Sequence, residues 1–279
     1  MKNFFLTLLL LISVFNLTAQ NSSASALSRM EIAIESSREE FTAQDSYYLG
    51  RTVAAHILNR YPLYTGKPEL TNYLNLVCAA LAINSFAPNW YNGYYVMILD
   101  DPAPNAFSTP GGHIFISRGF IDLALSEDML AAIIAHEMAH IQLNHSTAEI
   151  AHTRLTNQLA QERDRISSSL AAQIQQLMFS ESINEIILTL FSRGYSQIQE
   201  LEADRLALSL LVSTGYNPQS LVDLLVILER QQRIQSAGLS SAHPMLSQRI
   251  TNLRRQMPPL YRFADNAARA ERFKRILGR

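Results

Sequence analysis

Apolar residues recur at helical spacing along most of this chain, and the pattern changes period in one short region only. From about Ala26 to Phe86 the periodicity is helical, with a break from Tyr61-Pro62 to Lys67-Pro68. Tyr94-Tyr95-Val96-Met97-Ile98-Leu99 reads as a strand. Asp100 to Asn105, holding Pro102 and Pro104, reads as a turn. Pro110-Gly111-Gly112 then precedes a second strand, His113 to Ser117. Beyond that point the helical period returns. Ser126 is an N-cap followed by the acids Glu127 and Asp128. Leu130, Ile133, Ile134, Ala135, Met138 and Ile141 form the apolar stripe of that helix. Asn217-Pro218 after Gly215 starts another helix, and Gly238 ends it. Between Thr153 and Arg193 the apolar positions (Leu170, Ile174, Leu177, Ile183, Ile187, Leu190) are amphipathic. That segment packs on the core, or it forms a helix pair covering a site or touching a membrane surface. The fold class is α+β: mostly helical, with a small β-sheet placed just before the Ser126 helix.

The N-terminus departs from this pattern. Lys2 is followed by an apolar run of about fourteen residues, Phe4 to Leu17, then Ala19 and the polar Gln20-Asn21-Ser22-Ser23. This is the layout of a secretory signal peptide over residues 1–19, with Ala24 or Ala26 as other cleavage positions, and an uncleaved anchor as the alternative. Residues 20–279 are then a single domain. No cysteine lies near the cleavage region, which argues against a lipoprotein anchor. No later stretch reaches 18 apolar residues. The expected product is exported, periplasmic, and soluble or peripheral. Net charge is −1, which gives no reason to expect a nucleic-acid partner. The one cysteine, Cys78, sits in a helical pattern as a small apolar residue.

Chemistry enters at His136-Glu137-Met138-Ala139-His140, an H-E-x-x-H pattern inside the Ser126 helix. Histidines four apart share one helix face, so both imidazoles can reach one metal ion. Glu137 projects beside that face, where a carboxylate can take a proton from a water on the metal. A catalytic zinc needs a third protein ligand. Glu200 and Asp204, also four apart, supply a ligand and a carboxylate that orients a ligand histidine. Glu202 points elsewhere. The alternative for these acids is a solvated face with Arg205. His243-Pro244 and Arg249 are weaker signals. The first is able to stabilise an oxyanion, the second to anchor its loop or bind carboxylates, and spacing alone leaves both structural.

These motifs, in this order, resemble the HtpX/CAAX-prenyl-protease-type family of zinc metallopeptidases, within the secreted BepA-like branch. The matching features run from Leu49-Gly50 through Pro104-Asn105-Ala106-Phe107, Pro110-Gly111-Gly112 and Ser126-Glu127-Asp128. They continue with HEMAH and His145, then Glu200-Leu201-Glu202-Ala203-Asp204, and end with His243-Pro244 and Arg249. The resemblance implies a gluzincin-type metallopeptidase fold. It implies one Zn2+ per chain held by His136, His140 and Glu200, with Glu137 as general base and acid. Asp204 and Arg249 would support the ligands, and His243 would stabilise the transition state or close a latent site. It also implies that the strand His113, Ile114, Phe115 onward is the edge that pairs with substrate backbone. Two departures stand out. Gln197 follows Ser196 where the family often has arginine, and only about 20 residues follow Pro258-Pro259, without tetratricopeptide repeats for docking. The expected function is a secreted zinc-dependent metalloendopeptidase cleaving unfolded or misassembled envelope polypeptides. The alternative is a latent, metal-bound chaperone-like module.

Overall fold

The computed structural model describes residues 43–148, 183–235, 245–257 and 266–278. All of them belong to one compact unit, Phe41–Ile150 with Phe179–Arg279. The expected signal segment, the helix end at Gly238, His243 and most of the amphipathic 153–193 stretch lie outside the described residues.

In chain order the elements are α1 (Ala43–Arg60), α2 (Pro68–Ile83), β1 (Tyr95–Leu99), β2 (Ala106–Thr109), β3 (His113–Ser117), α3 (Arg118–Leu123) and α4 (Glu127–Gln142). A helical stretch over 183–188 continues as a π-helical turn, Thr189–Arg193. After it come α5 (Gln197–Thr214), α6 (Gln219–Gln235), α7 (Leu246–Gln256) and α8 (Ala267–Leu277). The architecture is therefore mostly helical α+β, as the periodicity indicates. The Tyr61–Pro68 break separates α1 from α2. Ser126 Oγ accepts from the Met129 N–H, and Asn217 Oδ1 accepts from the Gln219 N–H.

The sheet has three strands in the order β1-β3-β2, with β1 parallel and β2 antiparallel to β3. Its side chains alternate between two apolar clusters, as a period of two requires. Val96, Ile98, Ala106, Ile114 and Ile116 face the larger cluster, with α2, α4, α5, α6 and α7. Leu99, Phe107 and Phe115 face the smaller one, with Leu49, Val53 and Ile57 of α1 and with Ile183, Ile186, Leu190 and Tyr195. Cys78 lies in the larger cluster, and burial pushes its thiol up to about 12, which leaves it an inert apolar residue.

Strand β2 is absent from the sequence reading, and its presence corrects that reading. The hairpin Pro110-Gly111-Gly112 joins β2 to β3, so β3 is the middle strand. His113, Ile114 and Phe115 are paired on both sides, and β3 has no open edge for a substrate. The outer side of β1 is also occupied. Asn75 accepts from the Val96 N–H and donates to the Val96 carbonyl, both at 2.9 Å, while Leu63 bridges Leu99. Among the described residues, β2 carries no strand on its other side. The hairpin needs glycine: Gly111 has φ +86°, and a Cβ there would lie 2.3 Å from the Cα of Tyr47 on α1.

Helix α4 is buried over nearly its whole length, and its first turn is tied down by distant residues. Glu127 is 2% exposed. It accepts hydrogen bonds from Tyr73 (2.8 Å) and Tyr216 (3.2 Å), and from both Arg272 Nε (3.0 Å) and Nη2 (2.7 Å). Asp128 accepts from the Asn217 N–H and from Arg269. Helix α8 is thus clamped onto the start of α4. Glu127→Ala would strand two buried hydroxyls and should cost about 3–5 kcal/mol. Arg272→Ala, on a half-exposed side chain, should cost about 1 kcal/mol or less. Urea unfolding of the two variants checks this: equal losses would show that α8 is not held through Glu127.

Candidate metal centre

Helices α4 and α5 pack closely, and each presents charged groups to the other. His136 and His140, one turn apart on α4, face Glu200 on α5. All three are buried, and each offers one atom within 4.8 Å of the others. His136 Nε2 lies 3.1 Å from His140 Nε2 and 3.6 Å from Glu200 Oε2, and His140 Nε2 lies 3.5 Å from Glu200 Oε1. A tetrahedral ion with bonds near 2.0–2.1 Å holds its ligand atoms roughly 3.3–3.5 Å apart. The two histidines approach different oxygens of Glu200, each at close to that spacing, and two imidazoles with one carboxylate form a donor set that binds divalent metal.

Helix α5 delivers Glu200 accurately because its start is fixed by a capping box. Ser196 Oγ accepts from the Gln199 N–H, and Gln199 Oε1 accepts from the Ser196 N–H. Asp204, one turn after Glu200, lies 3.1 Å from His136 Nδ1. Arg249, from α7, answers the question left open by its spacing: it binds carboxylates. It donates to Asp204 through Nε (2.9 Å) and Nη2 (2.7 Å), and its Nη1 pairs with Glu200 at 2.6 Å. Arg249 is 2% exposed, and Glu200 and Asp204 are fully enclosed.

The electrostatics follow from that enclosure. Burial alone pushes the Asp204 carboxyl up, but the charge and hydrogen bonds of Arg249, then the contact with His136, outweigh it and hold Asp204 at about 2. Burial works against the Arg249 charge too, and Asp204 and Glu200 overcome it, raising its pKa. At His136, burial and Arg249 oppose a proton while Asp204 and Glu200 favour one, and the carboxylates prevail. The same negative potential favours a dication.

Glu137 is buried beside His136, and both line a pocket together with Arg249. Phe120, Ile133, Leu221, Leu224 and Leu228 form most of its wall, around about 380 Å3 of space, mouth included. His113 stands apart from this group, stacked on Tyr47 with Nδ1 near Thr109 Oγ1, so it is no part of the His136–Glu200 cluster.

Two neighbours of His140 carry little signal in the sequence. Tyr195 stacks on its ring at 4.0 Å between centroids, with its hydroxyl 2.7 Å from Ser146 Oγ. His145 lies 2.9 Å from it, Nδ1 to Nδ1. Only the position of His145 five residues after the motif pointed to it.

A buried two-histidine, one-glutamate cluster with an acid beside it, at the junction of two helices under a small sheet, is the arrangement of a metallopeptidase domain. The profile of peptidase family M48 matches residues 68–257, and the chain belongs to that family. It is 31% identical over 163 residues to the mitochondrial metalloendopeptidase OMA1 of Schizosaccharomyces pombe, covering 58% of this chain and 46% of that one. It is 26% identical over 153 residues to metalloprotease LoiP of Escherichia coli, covering 55% and 58%. It is 24% identical over 199 residues to the beta-barrel assembly-enhancing protease of Escherichia coli, covering 69% and 40%. The chain spans about half the length of the curated relatives it matches.

Asp204 gives this cluster an acid-sensitive element in the metal-free protein. Its folded-state value of about 2 lies below the ordinary 3.8. Its stabilising contribution, about 2 kcal/mol, is therefore complete above pH 4 and is lost as pH falls through 2. Asp204→Asn should lower stability at pH 7 by about 3 kcal/mol and cost much less at pH 2, as read from urea midpoints. A loss that does not change with pH would contradict this.

Proposed function

We propose that this chain is a zinc-dependent endopeptidase, with His136, His140 and Glu200 as the zinc ligands and Glu137 as general base and then general acid. The observation that carries the reading is the buried cluster of those three side chains, each offering one atom within 4.8 Å of the others, with Glu137 buried alongside. Zinc in that position supplies Lewis acidity to a peptide carbonyl and to a water. Glu137 removes a proton from the water and returns it to the departing amine. Asp204 orients His136, and Arg249 holds Asp204 and Glu200 in place. His243 keeps the role the family resemblance implies, stabilising the oxyanion.

Substrate backbone pairs, in this reading, with the side of β2 that carries no strand among the described residues, rather than with β3. Such pairing reads backbone more than side chains, which suits unfolded polypeptides. The pocket beside Glu137 takes the side chain on the amine side of the cleaved bond, because Glu137 serves the amine. Its walls favour leucine, isoleucine or phenylalanine there. The N-terminal pattern supports export, and the similarity to a beta-barrel assembly-enhancing protease supports misassembled envelope proteins as substrates. No helix of the described residues is long and apolar enough to cross a membrane.

Casein cleavage by the purified protein, beside Glu137→Gln, tests the reading. The wild type should cut and leave new N-termini enriched in large apolar residues. Glu137→Gln should retain zinc and lose at least a hundredfold in rate. Equal cleavage by both would contradict the mechanism. Activity that rises in His243→Ala would instead favour a latent site closed by that histidine.

A further inference from the structure

Both candidate ligand histidines turn Nε2 toward Glu200, and each has its Nδ1 in contact with a different kind of group. Behind His136 stands a carboxylate, Asp204. Behind His140 stands another imidazole, that of His145. A carboxylate only accepts, so it selects the tautomer that carries hydrogen on Nδ1. A neutral imidazole either donates or accepts, so the contact between His140 and His145 has two possible directions. Only one of them leaves a lone pair on His140 Nε2.

His145 is held where a third group sets that direction. Helix α4 ends at Gln142, and Asn144 adopts the left-handed conformation (φ 54°), so the chain turns and His145 lies beside His140. Gln199 donates to the His145 carbonyl from α5. Two residues beyond Glu200 on the same helix, Glu202 Oε2 lies 3.3 Å from His145 Nε2, within the distance at which a carboxylate accepts a hydrogen from that nitrogen. Glu202 is half exposed, whereas His145 is buried.

We propose that Glu202 and His145 form a tautomer relay that prepares His140 to bind metal. This rests on the reading of His136, His140 and Glu200 as the metal ligands. The Glu202 carboxylate keeps hydrogen on His145 Nε2. His145 Nδ1 is then an acceptor and takes the Nδ1–H of His140. The remaining nitrogen, His140 Nε2, presents its lone pair toward Glu200 and His136. A surface acid thereby fixes the proton of a buried ligand through one intervening ring. Glu200 would bind the ion, and Glu202 would hold one of its ligands in the correct form.

The experiment measures zinc affinity of the metal-stripped protein by chelator competition, with thermal melts to check folding. His145→Leu removes the acceptor and should weaken zinc 10–100-fold. His145→Gln, whose carbonyl oxygen accepts, should recover most of that loss. Glu202→Gln keeps an acceptor without charge and should stay near wild type, whereas Glu202→Leu should lose about tenfold. Wild-type affinity in His145→Leu would overturn the relay. Equal weakening in both Glu202 variants would also overturn it, since charge alone would then explain the effect. If His145→Leu fails to fold, the Glu202 pair decides, because both changes lie at a half-exposed position. A folded wild type that binds no zinc would refute the metal site and the relay with it.

Discussion

Glu200 and Asp204 are withdrawn from water one helical turn apart, where two carboxylates repel each other and lose their hydration. Such a pair persists only if positive charge is brought in with it. Arg249 brings one such charge from α7, and His136 faces both acids from α4. The ionic cluster therefore joins three helices at a point where apolar packing alone would not fix their rotation. Its geometry also leaves His136, His140 and Glu200 aimed at a common centre. Structural need and chemical capacity share the same atoms.

The rest of the fold protects that junction. Buried Glu127 gathers Tyr73, Tyr216 and Arg272 around the first turn of α4, so the helix is anchored at the end remote from the histidines. The sheet packs on α4, and among the described residues β2 carries no further strand. An apolar pocket lies on the same helix as Glu137.

Local spacing made much of this legible in the sequence. HEMAH within an apolar stripe, the Ser126 cap and the Glu200/Asp204 pair each depend on residues within one or two helical turns. The structure places them as that spacing requires. What escaped depends on partners far along the chain. Strand β2 has four residues, follows a proline-rich turn and shows no strong alternation, so nothing in the sequence opposed the edge role that the family resemblance implies for β3. Glu127 looked like an ordinary first-turn acid, because nothing local announces Arg272. His145 looked like a residue beyond the motif, because the left-handed turn at Asn144 that brings it back is not encoded in helical period.

The most direct test is a crystal of the zinc-loaded protein, with anomalous data collected on either side of the zinc edge. One anomalous peak bonded to His136 Nε2, His140 Nε2 and a Glu200 oxygen is the predicted result. A peak bound elsewhere, or none at those three side chains in a protein carrying stoichiometric zinc, would contradict the account.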